Sequence, residues 1–171
     1  MAQRKQASGG TPATRELTAA GIPFTEHTYT HDSRAASFGL EAADELDVDP
    51  ARVFKTLVLA LDDTGLGVAI LPVNDRVDPK AAARLLGAKK ATLADPAVAE
   101  RSSGYVVGGI SPFGQKRRLP TALDASAEAH ASILVSGGRR GFDVEVTPAD
   151  LVRVLSARTG DLTRTTSQVG R

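Results

Sequence analysis

A chain of 171 residues with 42% hydrophobic content has the length of one ordinary domain and the composition of a folded one. A formal net charge of +1 removes any strong global pull toward nucleic acid or membrane surfaces, and the absence of cysteine excludes disulfides, zinc–thiolate sites and a cysteine nucleophile in the protein itself. No stretch approaches the ~20 apolar residues of a membrane-spanning helix, and the polar first residues lack the apolar core of a signal peptide, so the cytoplasm is the expected location.

Residues 1–10 read as a disordered leader, residues 11–161 as one domain and residues 162–171 as a flexible tail. Thr11-Pro12 predicts a helix start and Gly21 its stop. Residues 24–31 alternate as a strand does, and residues 40–46 form a short amphipathic helical pattern. Residues 53–61 are an almost unbroken apolar run, the mark of a buried strand. Asp62-Asp63-Thr64-Gly65 turns the chain, and residues 66–73 return as a second strand, which predicts a hairpin. Asp78-Pro79 opens a helix that ends at Gly87, and Asp95-Pro96 opens another ending near Gly104. Residues 105–108 read as a strand leading into a loop over residues 109–118. Residues 133–136 and 142–146 read as strands joined by a glycine-rich, basic turn, and Thr147-Pro148 opens a last helix to about Ala157. Hairpins without regular β-α-β alternation predict an α+β fold with a mixed, largely antiparallel sheet, rather than a doubly wound nucleotide-binding fold.

Some features of this pattern bear on chemistry. In a strand over residues 53–61, Lys55 shares a face with Val53, Leu57, Leu59 and Leu61. Burying an unpaired charge among aliphatics is costly. Two readings stand: the ammonium reaches solvent from the start of the strand, or it lines a pocket as a fixed cation for a phosphate or carbonyl oxygen. Gly108-Gly109-Ile110-Ser111-Pro112-Phe113-Gly114-Gln115-Lys116 fits neither a Walker A loop, nor a dinucleotide-binding G-x-G-x-x-G, nor a nucleophile elbow. By pattern it is a tight turn. Ser136-Gly137-Gly138-Arg139-Arg140-Gly141 reads the same way, although its serine could donate to a ligand. His27 and His31, on one strand face, would stand about 13 Å apart, too far to share a metal. His130 has no neighbouring partner in sequence. No local motif supports a Ser-His-Asp triad. The basic clusters Lys89-Lys90, Lys116-Arg117-Arg118 and Arg139-Arg140 usually mean solvated surface, but two of them flank the glycine-rich loops, where a basic rim would suit a phosphodiester.

Taken together, the stretches His27-Thr28-Tyr29-Thr30-His31-Asp32, Val53-Phe54-Lys55-Thr56-Leu57, Gly87-Ala88-Lys89-Lys90, the run from Ser103-Gly104-Tyr105 through Gln115-Lys116, and Val135-Ser136-Gly137-Gly138-Arg139-Arg140-Gly141 closely resemble the YbaK family of aminoacyl-tRNA deacylases. The resemblance runs from Thr11 to about Asp161. It implies a mixed sheet curled toward a barrel, with helices around it, related to the editing domain of bacterial prolyl-tRNA synthetases. It implies a substrate pocket containing Tyr29, Phe38, Lys55, Thr56, Gly108, Gly109, Ser136 and Asp143, of which Lys55, Gly108 and Ser136 serve catalysis. The implied reaction is hydrolysis of mischarged cysteinyl-tRNA(Pro), with cysteinyl-tRNA(Cys) beside it. The substrate's own thiol attacks its ester, with no metal and no cofactor. The implied partners are the acceptor end of aminoacyl-tRNA and, transiently, prolyl-tRNA synthetase. The alternatives are a related deacylase for a substrate such as alanyl-tRNA(Pro), or a non-catalytic tRNA- or synthetase-binding module.

Overall fold

The computed structural model describes residues 10–34, 37–62 and 65–164. Most of the expected leader, the Asp63-Thr64 turn and most of the expected tail lie outside these residues.

Helix starts follow the sequence closely. Thr11, Asp78, Asp95 and Thr147 each accept a backbone N–H with their side chain, directly before a proline in the first turn. They open α1 (Pro12–Ala19), α3 (Pro79–Leu86), α4 (Pro96–Ser103) and α5 (Pro148–Leu155). α2 (Phe38–Glu45) is capped by Ser37 instead. Proline has no N–H to lose at a helix start, and the cap satisfies one that would otherwise be stranded.

A sheet of three strands runs in the order β1 (Thr25–Thr28), β8 (Phe142–Val146), β7 (Ile133–Arg139), antiparallel throughout. A sheet of five runs in the order β5 (Ala91–Leu93), β2 (Phe54–Leu61), β3 (Gly65–Pro72), β6 (Thr121–Asp124), β9 (Arg158–Gly160). β2 and β3 form the predicted hairpin, and β6 joins β3 in parallel. A short ribbon pairs β4 (Arg76–Val77) with β10 (Thr163–Arg164). The class is α+β and mixed, as expected. Among the described residues, however, the strands make separate sheets and do not close into a barrel. One parallel bridge, Val53 to Leu134, ties the start of β2 to β7.

The main core lies between the two larger sheets. Phe54, Val58, Val68, Ile70 and Leu123 face Ile133, Val135, Phe142 and Val144, with Leu17 of α1 and Leu151 of α5 closing the ends. On the far side of the five-stranded sheet, α3 covers Leu59, Leu61, Ala69 and Leu71 through Ala82, Ala83 and Leu86. α2 packs Ala42 and Ala43 against Val53, Val73 and Leu134.

Two expected strands are corrected. Residues 24–31 are extended only over Thr25–Thr28, so His27 and His31 do not share one strand face. Residues 105–108 are not a strand. The Tyr105 ring is buried and its hydroxyl donates to the Phe113 carbonyl, while the Val107 N–H is taken by Glu100. Side-chain partners for the backbone hold this segment as a turn. The short strands β4, β5, β6, β9 and β10 have no alternating pattern long enough to read in sequence.

Candidate active site

The site begins at an edge of β2. One side of this strand is paired with β3 along its whole length. The other side pairs with β5 only at Leu59–Leu61, and a single backbone bridge ties Val53, just before the strand, to Leu134 of β7. Between these contacts the edge is open. Ala94 donates its N–H to the Val58 carbonyl, so Val58 turns its backbone toward this edge. Thr56, two residues earlier, turns its own amide and carbonyl the same way.

A cavity of about 400 Å³ fills the gap. β2 supplies Lys55 and Thr56, the segment after β1 supplies Tyr29, α2 supplies Phe38, and the turn after α4 supplies Gly108. Ser136 of β7 and Asp143 of β8 close the far wall, where they are direct cross-strand neighbours. Seven of the eight residues named from sequence therefore line one cavity. Gly109 is not among its lining residues. A Cβ there would lie 2.8 Å from the Arg139 backbone, so this glycine allows two backbones to pass.

The surroundings of Lys55 decide between its two readings. Its side chain is half-buried, and its ammonium donates to the Asp75 carbonyl at 2.6 Å. Burial lowers its pKa most, with Arg76 acting in the same direction and Asp75 against it. The lysine thus neither escapes to solvent nor pairs with a carboxylate. The Thr56 hydroxyl is buried without a hydrogen-bond partner. Asp143 is 5% exposed, and burial pushes its carboxyl up to about 7. Tyr29 is pushed up to about 12, by burial first and then by the Asp143 charge. Ser136 accepts the Gly138 N–H at 3.1 Å. Buried polar groups are normally satisfied, and the unpartnered Thr56 hydroxyl in a cavity that also holds the buried Asp143 carboxyl calls for a ligand.

Gly108 sits at φ +92°, and a Cβ there would stand 2.9 Å from the Phe38 ring. Both the turn and the close approach require glycine. Arg140, which the sequence offered only as part of a solvated or rim-forming basic pair, braces this wall without lining the cavity. Its Nε and Nη2 donate to the Val107 carbonyl at 2.9 and 2.7 Å, and its guanidinium lies 5.0 Å from the Phe38 ring centre. No pattern in the sequence announces this bidentate contact.

Apart from Ile110, which also lines the cavity, the rest of the glycine-rich loop is scaffold. Phe113 is fully buried, Ser111 accepts the Phe113 N–H, and Gly114 packs on the first residues of α1. Lys116, Arg117 and Arg118 do not line the cavity. Arg118 is turned instead to the Val154 carbonyl and to Glu16.

His27 and His31 are bound to Glu145 and Glu41 respectively, and no serine or threonine hydroxyl of the described residues hydrogen-bonds a histidine. The described residues also hold no group of three potential metal-ligating side chains. No described helix is long and apolar enough to cross a membrane.

The chain matches the aminoacyl-tRNA editing domain family over residues 34–154. It is 31% identical over 162 residues to an Enterococcus faecalis protein provisionally named Cys-tRNA(Pro)/Cys-tRNA(Cys) deacylase EbsC, covering 94% of this chain and 97% of that one. Its fold is similar to that of a protein designated APE2540, with TM-score 0.80, 24% identity and coverage of 90% and 100% of the two chains. It is also similar in fold to a protein provisionally described as a trans-editing enzyme for prolyl-tRNA synthetase, with TM-score 0.75, 22% identity and coverage of 91% and 99%. The chain belongs to the aminoacyl-tRNA editing domain family, and its reaction is the hydrolysis of an aminoacyl-tRNA ester.

Proposed function

We propose that this enzyme removes cysteine from mischarged tRNA, acting on cysteinyl-tRNA(Pro) and also on cysteinyl-tRNA(Cys), as a free-standing editing factor of the cytoplasm. One observation carries the reading. The cavity gathers a lysine without a carboxylate partner, a buried threonine hydroxyl without a hydrogen bond and a buried carboxyl, Asp143, yet no hydroxyl that lines it is hydrogen-bonded to a described histidine or carboxylate. A site equipped to hold charge but not to attack suits a substrate that brings its own nucleophile. The name of the Enterococcus faecalis relative points to the same substrate.

In this reading the substrate thiolate attacks its own ester carbonyl. A sulfur–carbon bond forms, the ester carbon–oxygen bond breaks, and the ribose oxygen of the terminal adenosine leaves with the proton that the thiol gave up. Water then opens the cyclic thioester to free cysteine. The protein's part is orientation and charge stabilisation. Lys55 holds the terminal phosphate or ribose, the Gly108 backbone and Ser136 hold the α-amino end, Tyr29 and Phe38 wall the amino-acid chamber, and Asp143 orients the polar members. Prolyl-tRNA synthetase is the expected transient partner, presenting the tRNA.

A deacylation assay with cysteinyl-, seryl- and alanyl-tRNA(Pro), with and without prolyl-tRNA synthetase, tests the reading. A thiol of pKa ~8.5 is a few per cent thiolate near pH 7, whereas serine's hydroxyl has almost no anion and alanine no nucleophile. Binding differs little among such small side chains, by about 1–3 kcal/mol. Cysteinyl-tRNA is therefore expected to be cleaved much faster at saturation. Equal rates for all three would assign the chemistry to water and overturn the mechanism. Preference for alanyl-tRNA(Pro) would move the enzyme to a different editing task.

A further inference from the structure

A second groove, of about 420 Å³, adjoins the cavity and shares Lys55, Leu57 and Leu93 with it. It exists because α3 covers only part of the outer face of β2. Leu59 and Leu61 are buried under that helix, while Leu57 is only partly covered and Leu93 of β5 is 64% exposed. The result is an aliphatic floor open to solvent.

The rim carries the charge. Arg76 and Arg164 are direct cross-strand partners in the β4–β10 ribbon. Like charges placed opposite one another on a ribbon repel. Among the described residues no acidic side chain lines the groove, and neither arginine makes a side-chain hydrogen bond or ion pair with any of them. Several other arginines are engaged, Arg52 with Glu145, Arg118 with Glu16, Arg140 with the Val107 carbonyl and Arg158 with the Leu85 carbonyl, and Arg84, Arg101 and Arg117, unengaged among the described residues, do not line this groove. The ribbon therefore holds two uncompensated guanidinium groups beside a third cation, Lys55, at the junction with the cavity.

We infer that this groove holds the last nucleotides of the tRNA acceptor strand, with bases against the Leu57 and Leu93 floor and phosphates against Arg76 and Arg164. The inference rests on the proposed function and deepens it. An aminoacyl ester seated in the cavity must continue into a nucleotide chain, and this groove adjoins the cavity across the shared Lys55, Leu57 and Leu93. Guanidinium groups suit phosphate, and base faces suit an apolar floor. A phosphate between Arg76 and Arg164 also relieves their mutual repulsion.

The test uses the full chain and two probes: an uncharged RNA microhelix ending in CCA, for binding, and cysteinyl-tRNA(Pro), for turnover. Arg164→Gln is expected to weaken microhelix binding about tenfold, and Arg76→Gln with Arg164→Gln about a hundredfold. The slope of log affinity against log salt should fall by about 0.7 for each phosphate that is no longer neutralised. On cysteinyl-tRNA(Pro) the loss should fall in KM, with kcat moving less than about threefold. Arg164→Lys, which keeps the charge, should retain most of the salt slope, and thermal melting checks that each variant folds. Unchanged affinity and slope in the double variant would overturn the inference. So would tighter RNA binding by a chain ended at Arg164 together with no effect of the glutamine substitutions, which would give the groove to residues 165–171. Failure of the wild-type protein to hydrolyse any cysteinyl-tRNA would instead overturn the proposed function, and the binding data would still report on the groove.

Discussion

Asp143 and Glu145 stand two residues apart on the same face of β8, yet they belong to opposite kinds of environment. Glu145 is bound on every side: His27 at 2.8 Å, Arg52 at 2.8 Å and the Ser132 hydroxyl. These contacts hold its carboxyl below the usual range, the Ser132 hydrogen bond contributing most. Asp143 has no such ring, and burial alone raises it. The closed network is a device for stability, while the open chamber holds an unpartnered Thr56 hydroxyl that a ligand would complete. Side-chain chemistry does not separate the two acids. Their partners do.

The largest expected effect lies in the chamber. Lys55→Ala should lower single-turnover deacylation about a thousandfold, equivalent to about 4 kcal/mol of transition-state stabilisation. Its melting temperature should stay the same or rise slightly, because the replaced ammonium is half-buried and lacks a carboxylate partner. Wild-type turnover in a folded Lys55→Ala protein would remove the distinction between chamber and network.

Next is the pH dependence of stability. The Asp143 carboxyl titrates near 7 in the folded protein against an ordinary value of 3.8. Between those values the native state binds the extra proton. Its stabilising contribution is complete below about pH 4 and is lost as pH rises through about 7. The loss should be about 2–4 kcal/mol, and Asp143→Asn should flatten it. Denaturant unfolding from pH 4 to 8 measures both curves. Parallel curves for the two proteins would show that Asp143 has a partner in solution.

The smallest effect belongs to the network and has the opposite sign. Glu145 has a lowered pKa, so its contribution is present above the ordinary glutamate range and is lost as pH falls through the folded value. Glu145→Gln should destabilise the protein by about 1–2 kcal/mol at neutral pH, since its side chain is partly exposed and solvent weakens the ion pairs. Deacylation should change less than about threefold. A large loss of turnover at full stability would place Glu145 in the chemistry and break the comparison.

Much of this was legible along the chain. Cap-and-proline pairs marked α1, α3, α4 and α5 because helix starts are local: a side chain two or three residues away satisfies the first N–H groups. The β2–β3 hairpin was legible for the same reason, being a contact between neighbours in sequence. Tyr29, Phe38, Lys55, Thr56, Gly108, Ser136 and Asp143 were named through a family resemblance, and they line one cavity. Periodicity alone left Lys55 between two readings and favoured plain turns for both glycine loops. It also misread residues 105–108, where Glu100 and the Phe113 carbonyl supply partners that alternation cannot show.

By itself the sequence determined the helix starts, the β2–β3 and β7–β8 hairpins, the α+β class and the residue types available for chemistry, since these depend on local hydrogen bonding and on hydrophobic period. Only the tertiary structure decided which of those residues meet. The cavity is a stretch of β2 edge left unpaired between β5 and β7, the Arg140 clamp on the Val107 carbonyl joins positions 33 residues apart, and Arg76 stands opposite Arg164 through a ribbon closed across about half of the chain. Each is a long-range coincidence of strand register and layer length, and such coincidences leave no signature in any local window of sequence.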